Sequence, residues 1–527
     1  MNHWRTFLPF GIFLTCFLIY LPFDLPTVGN ASDNYWYVPS SISLLHEGNL
    51  ELSEYNELIQ DRSSYGIVRY RGLPYNLFPF GTSLITLPLV VLGEFLFHNT
   101  DQITHFFAIA AFTAKVLAAL SAAFLFVTVL RLTDSLPLSL FLSIVFAFAT
   151  SHFSLHAGGL WSHNTSLLLI TMALCILVGP EQHLYLAAAP LAFAFIARPT
   201  VAVHIVFITI YVFLFHRRHF FRFACVGGLI GLLFMLFSYH VFGRLIPPYY
   251  GAGRLDFRHF GEALAGNLVS PNRGLFVFTP LFLGSVYGMY WSFKTKTVDA
   301  RFYRLLSLMA VFHWVLISTF RHWWAGATIG PRFFGDNLSV LTLLLIPAVN
   351  QVRQRRLLYP VAAFALLWSL WVQIHAVTSS QVYRWNFTPV KLGVDPSRIW
   401  DWKDMQILRT ALPESAIKNL PYSFKIFQDG RVIAKVMKSD IPEIADSKVR
   451  VDHKKFKAIS LKDLLAKYHV QALEVTISGG GIKTSLNWDE AMDDLYIYFA
   501  AGRVAKIHCN CEKEFPPFVE SITVGKM

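Results

Sequence analysis

The length of its apolar runs constrains this chain more than any other feature. A helix needs about 20 residues to cross a hydrocarbon core. Runs approaching that length recur at 7–23, 79–97, 104–130, 136–153, 160–178, 184–197, 201–215, 223–242, 275–292, 303–320, 337–350 and 357–377. A soluble fold of 527 residues would have to hide all of them from water. Charged residues make up 15% of the chain, against about a quarter in soluble domains. Membrane burial is the simpler account. The formal charge of +12 does not argue for a nucleic-acid partner, because Lys and Arg collect in short loops between apolar runs, as topological charge does. Five cysteines give no disulfide framework: Cys16, Cys175 and Cys225 lie in apolar runs, and Cys509 and Cys511 are too close for an easy bridge. Met1 to Phe23 reads as a first membrane helix that is retained.

The basic loops set an expected topology. Arg5, Arg131, the His216–His219 stretch with Arg222, Lys294 to Arg304, and Arg353 to Arg356 should all face the cytoplasm. They can do so only if one early block does not cross. Block 79–97 carries Pro79, Pro88 and Glu94 and is read as an interfacial or re-entrant helix. The expectation is an α-helical polytopic membrane protein with about eleven transmembrane helices plus that interfacial helix, its N-terminus cytoplasmic. Residues 1–377 form the membrane module. Residues 378–527 form a small extracytoplasmic α/β domain, with strands expected at Arg431–Met437, Ala472–Ile477 and Leu495–Ala500 and a helix at Leu461–Tyr468. No internal repeat is visible, and Gly479-Gly480-Gly481 lacks the spacing of a phosphate loop.

Polar groups in or beside a membrane are costly, which makes them candidates for function. On the expected outer face, the loop 24–103 carries Asp33 and Tyr35 in Ser32-Asp33-Asn34-Tyr35-Trp36, then Arg69 and Arg71 in Val68-Arg69-Tyr70-Arg71-Gly72. Arg273 follows in Ser270-Pro271-Asn272-Arg273-Gly274, and His322, Trp323, Arg332 and Asp336 share one later loop. Lys115 interrupts an apolar run, and Arg198 precedes Pro199 at the end of another. One carboxylate ringed by cations and aromatics suits transfer of a sugar from a lipid-linked phosphate. Lys115, Arg198, Arg273 or Arg332 could stabilise the charge on the leaving phosphate, Asp33 could serve as general base, and Trp and Tyr could stack on a sugar ring. Each residue also has a plainer reading. Asp33 could be an ordinary loop carboxylate, Lys115 could snorkel, and Arg273 and Arg332 could anchor loops through backbone carbonyls. His152, His156 and His163 straddle two helices without carboxylate support and read as interfacial rather than as metal ligands. His163 is kept as a substrate-pocket candidate. No metal and no cofactor are expected.

The layout resembles the polytopic glycosyltransferases of the GT-C superfamily, which includes protein O-mannosyltransferases and the aminoarabinose transferase acting on lipid A. The resemblance is to a bacterial branch and covers about residues 5–410. It rests on the order of several stretches: Ser32-Asp33 with Tyr37-Val38-Pro39; Val68 to Gly72 leading to Pro79-Phe80-Gly81-Thr82; Ser270 to Phe276; Trp323-Trp324-Ala325-Gly326 with Gly330-Pro331-Arg332-Phe333; and Arg398 to Asp404. It implies Asp33 as catalytic base, a polyprenyl-phosphate sugar as donor, and Lys115 in the place of a basic residue that meets the lipid phosphate. It also implies residence in the bacterial inner membrane and an extracytoplasmic lipid, glycan or protein acceptor. Where the superfamily often has a paired acidic motif this chain has Asp33-Asn34, which argues against a metal. One base implies single displacement and inversion; double displacement would use two carboxylates. The alternatives are a flippase or transporter of lipid-linked glycans, a polymerase or ligase of surface polysaccharide, and a scaffold whose outer domain binds a partner.

Overall fold

Proline and glycine positions decide where the apolar runs become helices and where they break. The structure is a computed structural model. It describes residues 4–23, 34–62, 66–98, 102–251, 253, 255–298, 300–387, 392–393, 395–409, 423–428, 431–437, 447–451, 454–467, 474–479, 482–487, 495–500, 504–509, 519 and 521–524. The chain divides into two compact units, 1–383 and 384–527.

The first unit is almost wholly helical. Its helices are α1 (Trp4–Tyr20), α2 (Tyr37–His46), α3 (Asn56–Arg62), α4 (Gly81–Phe97), α5 (Gln102–Thr133), α6 (Leu136–Phe148), α7 (Ser162–Leu177), α8 (Ala188–Ala197), α9 (Ala202–Phe215) and α10 (Arg217–Phe242). They continue with α11 (Phe260–Val269), α12 (Leu275–Phe278), α13 (Leu283–Lys294), α14 (Ala300–Ser318), α15 (Leu338–Leu343), α16 (Leu345–Gln354) and α17 (Tyr359–Thr378). A two-stranded hairpin, β1 (Ile67–Tyr70) and β2 (Leu73–Asn76), precedes α4.

The expected eleven or so spans are not found. Among the described residues, four helices are long and apolar enough to cross a membrane, and a fifth span exists if the pair Arg332–Leu343 and Leu345–Gln354, bent by 44°, is counted as one. The apolar blocks are there, but many are cut short. Block 275–292 breaks at Thr279-Pro280 into α12 and α13, because Pro280 cannot donate into a continuing helix. Block 136–153 ends at Phe148, and a π-type turn runs from His152 to His156. Block 337–350 splits at Leu344. Block 184–197 begins as a 3-10 turn and leaves a ten-residue α8.

The membrane character rests on exposure. Only 11% of the most apolar window of α10 is buried against the rest of the chain, and only 17% of that of the Arg356–Thr378 helix. Leu229, Leu232, Leu233 and Leu236 on α10, and Val361, Phe364 and Leu367 on α17, face outwards. Contiguous apolar surface of that extent is unusual for a protein in water and is compatible with a lipid surrounding. By contrast α5 is central, packing on α1, α4, α6 and α7. Its buried Ala114, Ala118, Ala119, Ala122 and Ala123 allow the close approach that membrane helices use in place of hydrophobic drive. Block 79–97 is one continuous helix, α4, despite Pro88. Gly81 at its start meets the backbone of Ile196 and Ala197, where any side chain would collide.

The second unit carries two sheets. Its strands are β3 (Ser423–Gln428), β4 (Arg431–Met437), β5 (Ser447–Val451), β6 (Lys454–Ser460), β7 (Glu474–Gly479), β8 (Ile482–Asn487), β9 (Leu495–Ala500), β10 (Val504–Cys509) and β11 (Ser521–Val524), with helix α18 at Leu461–Lys467. The orders are β10-β9-β6-β5 and β4-β3-β11-β7-β8, antiparallel except for β11 beside β3. The strand expected at Ala472–Ile477 is described from Glu474. Ahead of the sheets, buried Asp404 receives Arg398 at 3.0 Å and Arg409 at 2.8 Å. The Arg398 guanidinium lies 4.4 Å from the Trp385 ring centre.

Candidate functional site

Pro199 ends α8, and it forces Arg198 into extended backbone (φ −160°, ψ 118°). The Arg198 side chain therefore leaves the break between two apolar helices. It meets Asp336, which is fully buried on the 3-10 turn Arg332–Asn337. Asp336 accepts from Arg198 Nε at 2.7 Å, Thr200 Oγ1 at 2.7 Å, Ser166 Oγ at 2.7 Å and His163 Nδ1 at 3.2 Å. Arg198 also donates from Nη1 to Ser162 Oγ at 3.1 Å. A buried charge is tolerated only when paired and hydrogen-bonded, and this one receives four donors from α7 and the α8–α9 junction. Ser162, His163 and Ser166 occupy the first turns of α7, where the helix dipole further favours a carboxylate. That terminus is itself fixed: Asn164 accepts from the Trp161 amide at 3.2 Å and donates to His156 O at 2.6 Å.

Carboxylates and carbonyls only accept, which assigns the nearby imidazole tautomers. His163 must donate from Nδ1 to Asp336, and His152 must donate from Nε2 to Ala118 O at 3.0 Å. His152 Nδ1 then accepts from His156 Nδ1 at 3.3 Å. Gly335 closes the group: a Cβ there would stand 2.9 Å from both His156 Nε2 and His163 Nδ1. No group of three or more His, Cys, Asp or Glu among the described residues is arranged to hold a metal ion.

The loop carrying Asp336 gathers other expected residues. The Arg332 guanidinium lies 4.9 Å from the Trp161 ring centre. Phe333 stands between two cations, 5.9 Å from Arg332 and 6.0 Å from Arg198. Arg273 is buried and donates to the carbonyls of Trp324 (2.9 Å), Gly326 (3.1 Å) and Asn272 (2.5 Å), holding the start of the same loop. Trp323 is buried against Gly266, which leaves no room for a side chain. His322 is stacked edge-on with Trp324 at 5.1 Å; burial first, and then the Arg321 charge, lowers its pKa.

Other expected residues lie in neighbouring places. Lys115 is buried on α5 and donates to Leu21 O at 3.1 Å, one helical turn before the Ala118 carbonyl that receives His152. Tyr35 packs against Trp36 and Phe107. Residues 35–38 share a core cluster with Phe106, Ile109 and Ala114 of the same helix. Asp33 lies outside the described residues. Arg69 and Arg71 are exposed on the β1–β2 hairpin. Arg71 (φ 50°) and Gly72 (φ 86°) form its tip, the two positive values a type I′ turn needs. Arg69 donates to Gly72 O at 3.2 Å, and Tyr70 reaches Gly243 at the end of α10. The hairpin arginines thus belong to the α10 end rather than to the Asp336 cluster.

A cleft is linked to the α8 end through Tyr250, and Arg198 is not among its lining residues. Tyr75, Phe78, Phe80, Phe242, Tyr249 and Tyr250 line it. Tyr250 donates to Ile196 O at 2.5 Å, two residues from Arg198. Tyr249 and Tyr37 are both close enough to interact electrostatically with the guanidinium. The sequence reading missed Ser162, Ser166, Thr200, Tyr37 and Tyr249. Hydroxyls at a helix start beside three histidines were the available signal.

No family model matches the chain, and no curated protein matches it. Among solved structures, it is similar to the Archaeoglobus fulgidus oligosaccharyltransferase in the apo form, with a TM-score of 0.46 and 10% sequence identity. The likeness covers 81% of this chain and 63% of that one, so the chain spans less than two thirds of that protein's length.

Proposed function

We propose that this chain is a membrane-embedded glycosyltransferase. It moves a sugar from a polyprenyl-phosphate donor to a lipid, glycan or protein acceptor at the extracytoplasmic face, with inversion. One observation carries the reading: Arg198 is pinned through Nε by a buried carboxylate, with Arg332 across Phe333, and lies two residues after Ile196, whose carbonyl receives Tyr250 of an aromatic cleft. A guanidinium preorganised in a low-dielectric site stabilises charge developing on a leaving phosphate, with little reorganisation during reaction.

In this reading the acceptor hydroxyl oxygen attacks the anomeric carbon. The bond from that carbon to the phosphate oxygen breaks, and its electron pair leaves with the phosphate. The hydroxyl proton passes to Asp33. Arg198, Lys115 and Arg332 serve the lipid-phosphate side, and Arg273 supports it by holding the loop that carries Arg332. Tyr35, Arg69, Arg71, His163, His322, Trp323 and Asp336 shape the substrate pocket or support it. Support for Asp33 comes from its place in the sequence: Asn34, which follows it, is buried, and residues 35–38 pack on the helix that carries Lys115.

The test is sugar transfer by the purified full chain, supplied with polyprenyl-phosphate hexoses and pentoses and with acceptor from its own membranes. Wild type should transfer one of them, and Asp33→Asn should lose at least about a hundredfold in rate, the scale of a general base. Full turnover in folded Asp33→Asn would remove Asp33 from the mechanism. Translocation of the lipid-linked sugar without transfer would favour the flippase reading.

A further inference from the structure

We infer that the face built from Arg217, Arg222 and Arg301, with exposed Phe213, Phe215 and Phe221 among them, binds the headgroups of anionic phospholipids. The surface lies where α9 ends, α10 begins and α14 begins. Arg217 sits 5.7 Å from the Phe213 ring centre, Arg301 4.8 Å from that of Phe215, and Arg222 5.9 Å from that of Tyr185. These three arginines are exposed. Phe213, Phe215 and Phe221 are exposed by 48%, 42% and 77%.

A fourth arginine, Arg218, is engaged differently. It donates from Nη2 to Glu181 Oε2 at 2.7 Å and from Nε to Glu181 Oε1 at 3.2 Å. His216 and His219 approach the same carboxylate. That contact fixes the α9–α10 turn against the segment 181–187 and uses the one carboxylate seen in this group of described residues. The other three arginines keep their charge for a ligand.

The mixture of cations and apolar rings selects the partner. An acidic protein or a nucleic acid would match the charge but would leave the phenylalanines in water. A phospholipid matches both, phosphate to guanidinium and acyl chain to ring. Such a face belongs at headgroup depth, where aromatic residues collect and where each Lys or Arg adds to the attraction for anionic lipid. The apolar surface also continues directly along α10 through Leu229, Leu232 and Leu233, all exposed, so a lipid held at the arginines has its chains beside a bare helix. The inference does not depend on the sugar-transfer reading.

The full chain in nanodiscs of equal phosphatidylglycerol and phosphatidylcholine, released into native mass spectrometry, tests it. Wild type should retain phosphatidylglycerol over phosphatidylcholine by about tenfold or more. R217Q/R222Q/R301Q should reduce that ratio to near unity, and R217K/R222K/R301K should keep most of it. R353Q/R355Q/R356Q, at another basic loop, should lower it far less. If the glutamine variant does not fold, salt decides on the wild type: the preference should fall steeply between 50 and 500 mM. A wild type without preference, a glutamine variant that keeps it, or an effect equal at the control loop would each overturn the assignment.

Discussion

Asp336 is the residue on which most of the site depends. Removing one partner from a buried ion pair costs about 3–5 kcal/mol, because the other charge is left uncompensated, whereas replacing both by apolar groups is often neutral. Asp336→Asn should therefore lower the thermal midpoint of the detergent-solubilised chain sharply. The double variant Arg198→Met with Asp336→Leu should recover much of that loss while remaining inactive in transfer. Scanning fluorimetry measures the first effect and the transfer assay the second. A double variant as unstable as Asp336→Asn would mean that the hydroxyls and His163, rather than the pair itself, hold the loop. Gly335→Ala tests the same region by volume. Its methyl would press on His156 and His163 at 2.9 Å, and overpacking of this kind costs about 1–3 kcal/mol.

At the scale of elements, sequence periodicity was more informative about helix existence than about length. The long runs that became α5, α10, α14 and α17 have no internal proline after their first turn. The shorter ones were interrupted by features that hydropathy alone does not weigh, such as Thr279-Pro280 and the polar stretch from Thr150 to His163. The site was legible in part. Arg198, Arg332, His163 and Asp336 stood out as polar residues in apolar surroundings, and the fold brings them together. Ser166 and Thr200 do not stand out in the sequence because a hydroxyl near a helix start usually bonds the local backbone, as Ser166 also does at His163 O (3.2 Å); only the tertiary position of Asp336 gives both a carboxylate partner. The contact between Arg218 and Glu181 joins α10 to the preceding turn and gives an electrostatic prediction. Hydrogen bonds from Arg218, and then from His216, lower the Glu181 pKa. A carboxylate depressed in the folded state contributes stability above its unfolded pKa of about 4.3 and loses it as pH falls through the folded value. The small difference in midpoint between wild type and Glu181→Gln at pH 6 should shrink as pH falls below 4. A gap that widens towards acid would contradict the pairing.

For the whole molecule, two properties coexist. One is a bare apolar girdle formed by helices such as α10 and α17. The other is a buried polar centre tying α7, the α8–α9 junction and the loop 322–337 together. A bilayer would be compatible with both, with lipid against the apolar helices and protein alone satisfying the centre. The polar centre is costly to maintain, which makes it a candidate for function. The most direct measurement is a cryo-EM structure of the full chain bound to a polyprenyl-phosphate sugar. The account predicts the phosphate within about 3 Å of an Arg198 guanidinium nitrogen, with the sugar directed towards Asp33. A phosphate seated elsewhere, with Arg198 contacting only Asp336 and Ser162, would contradict it.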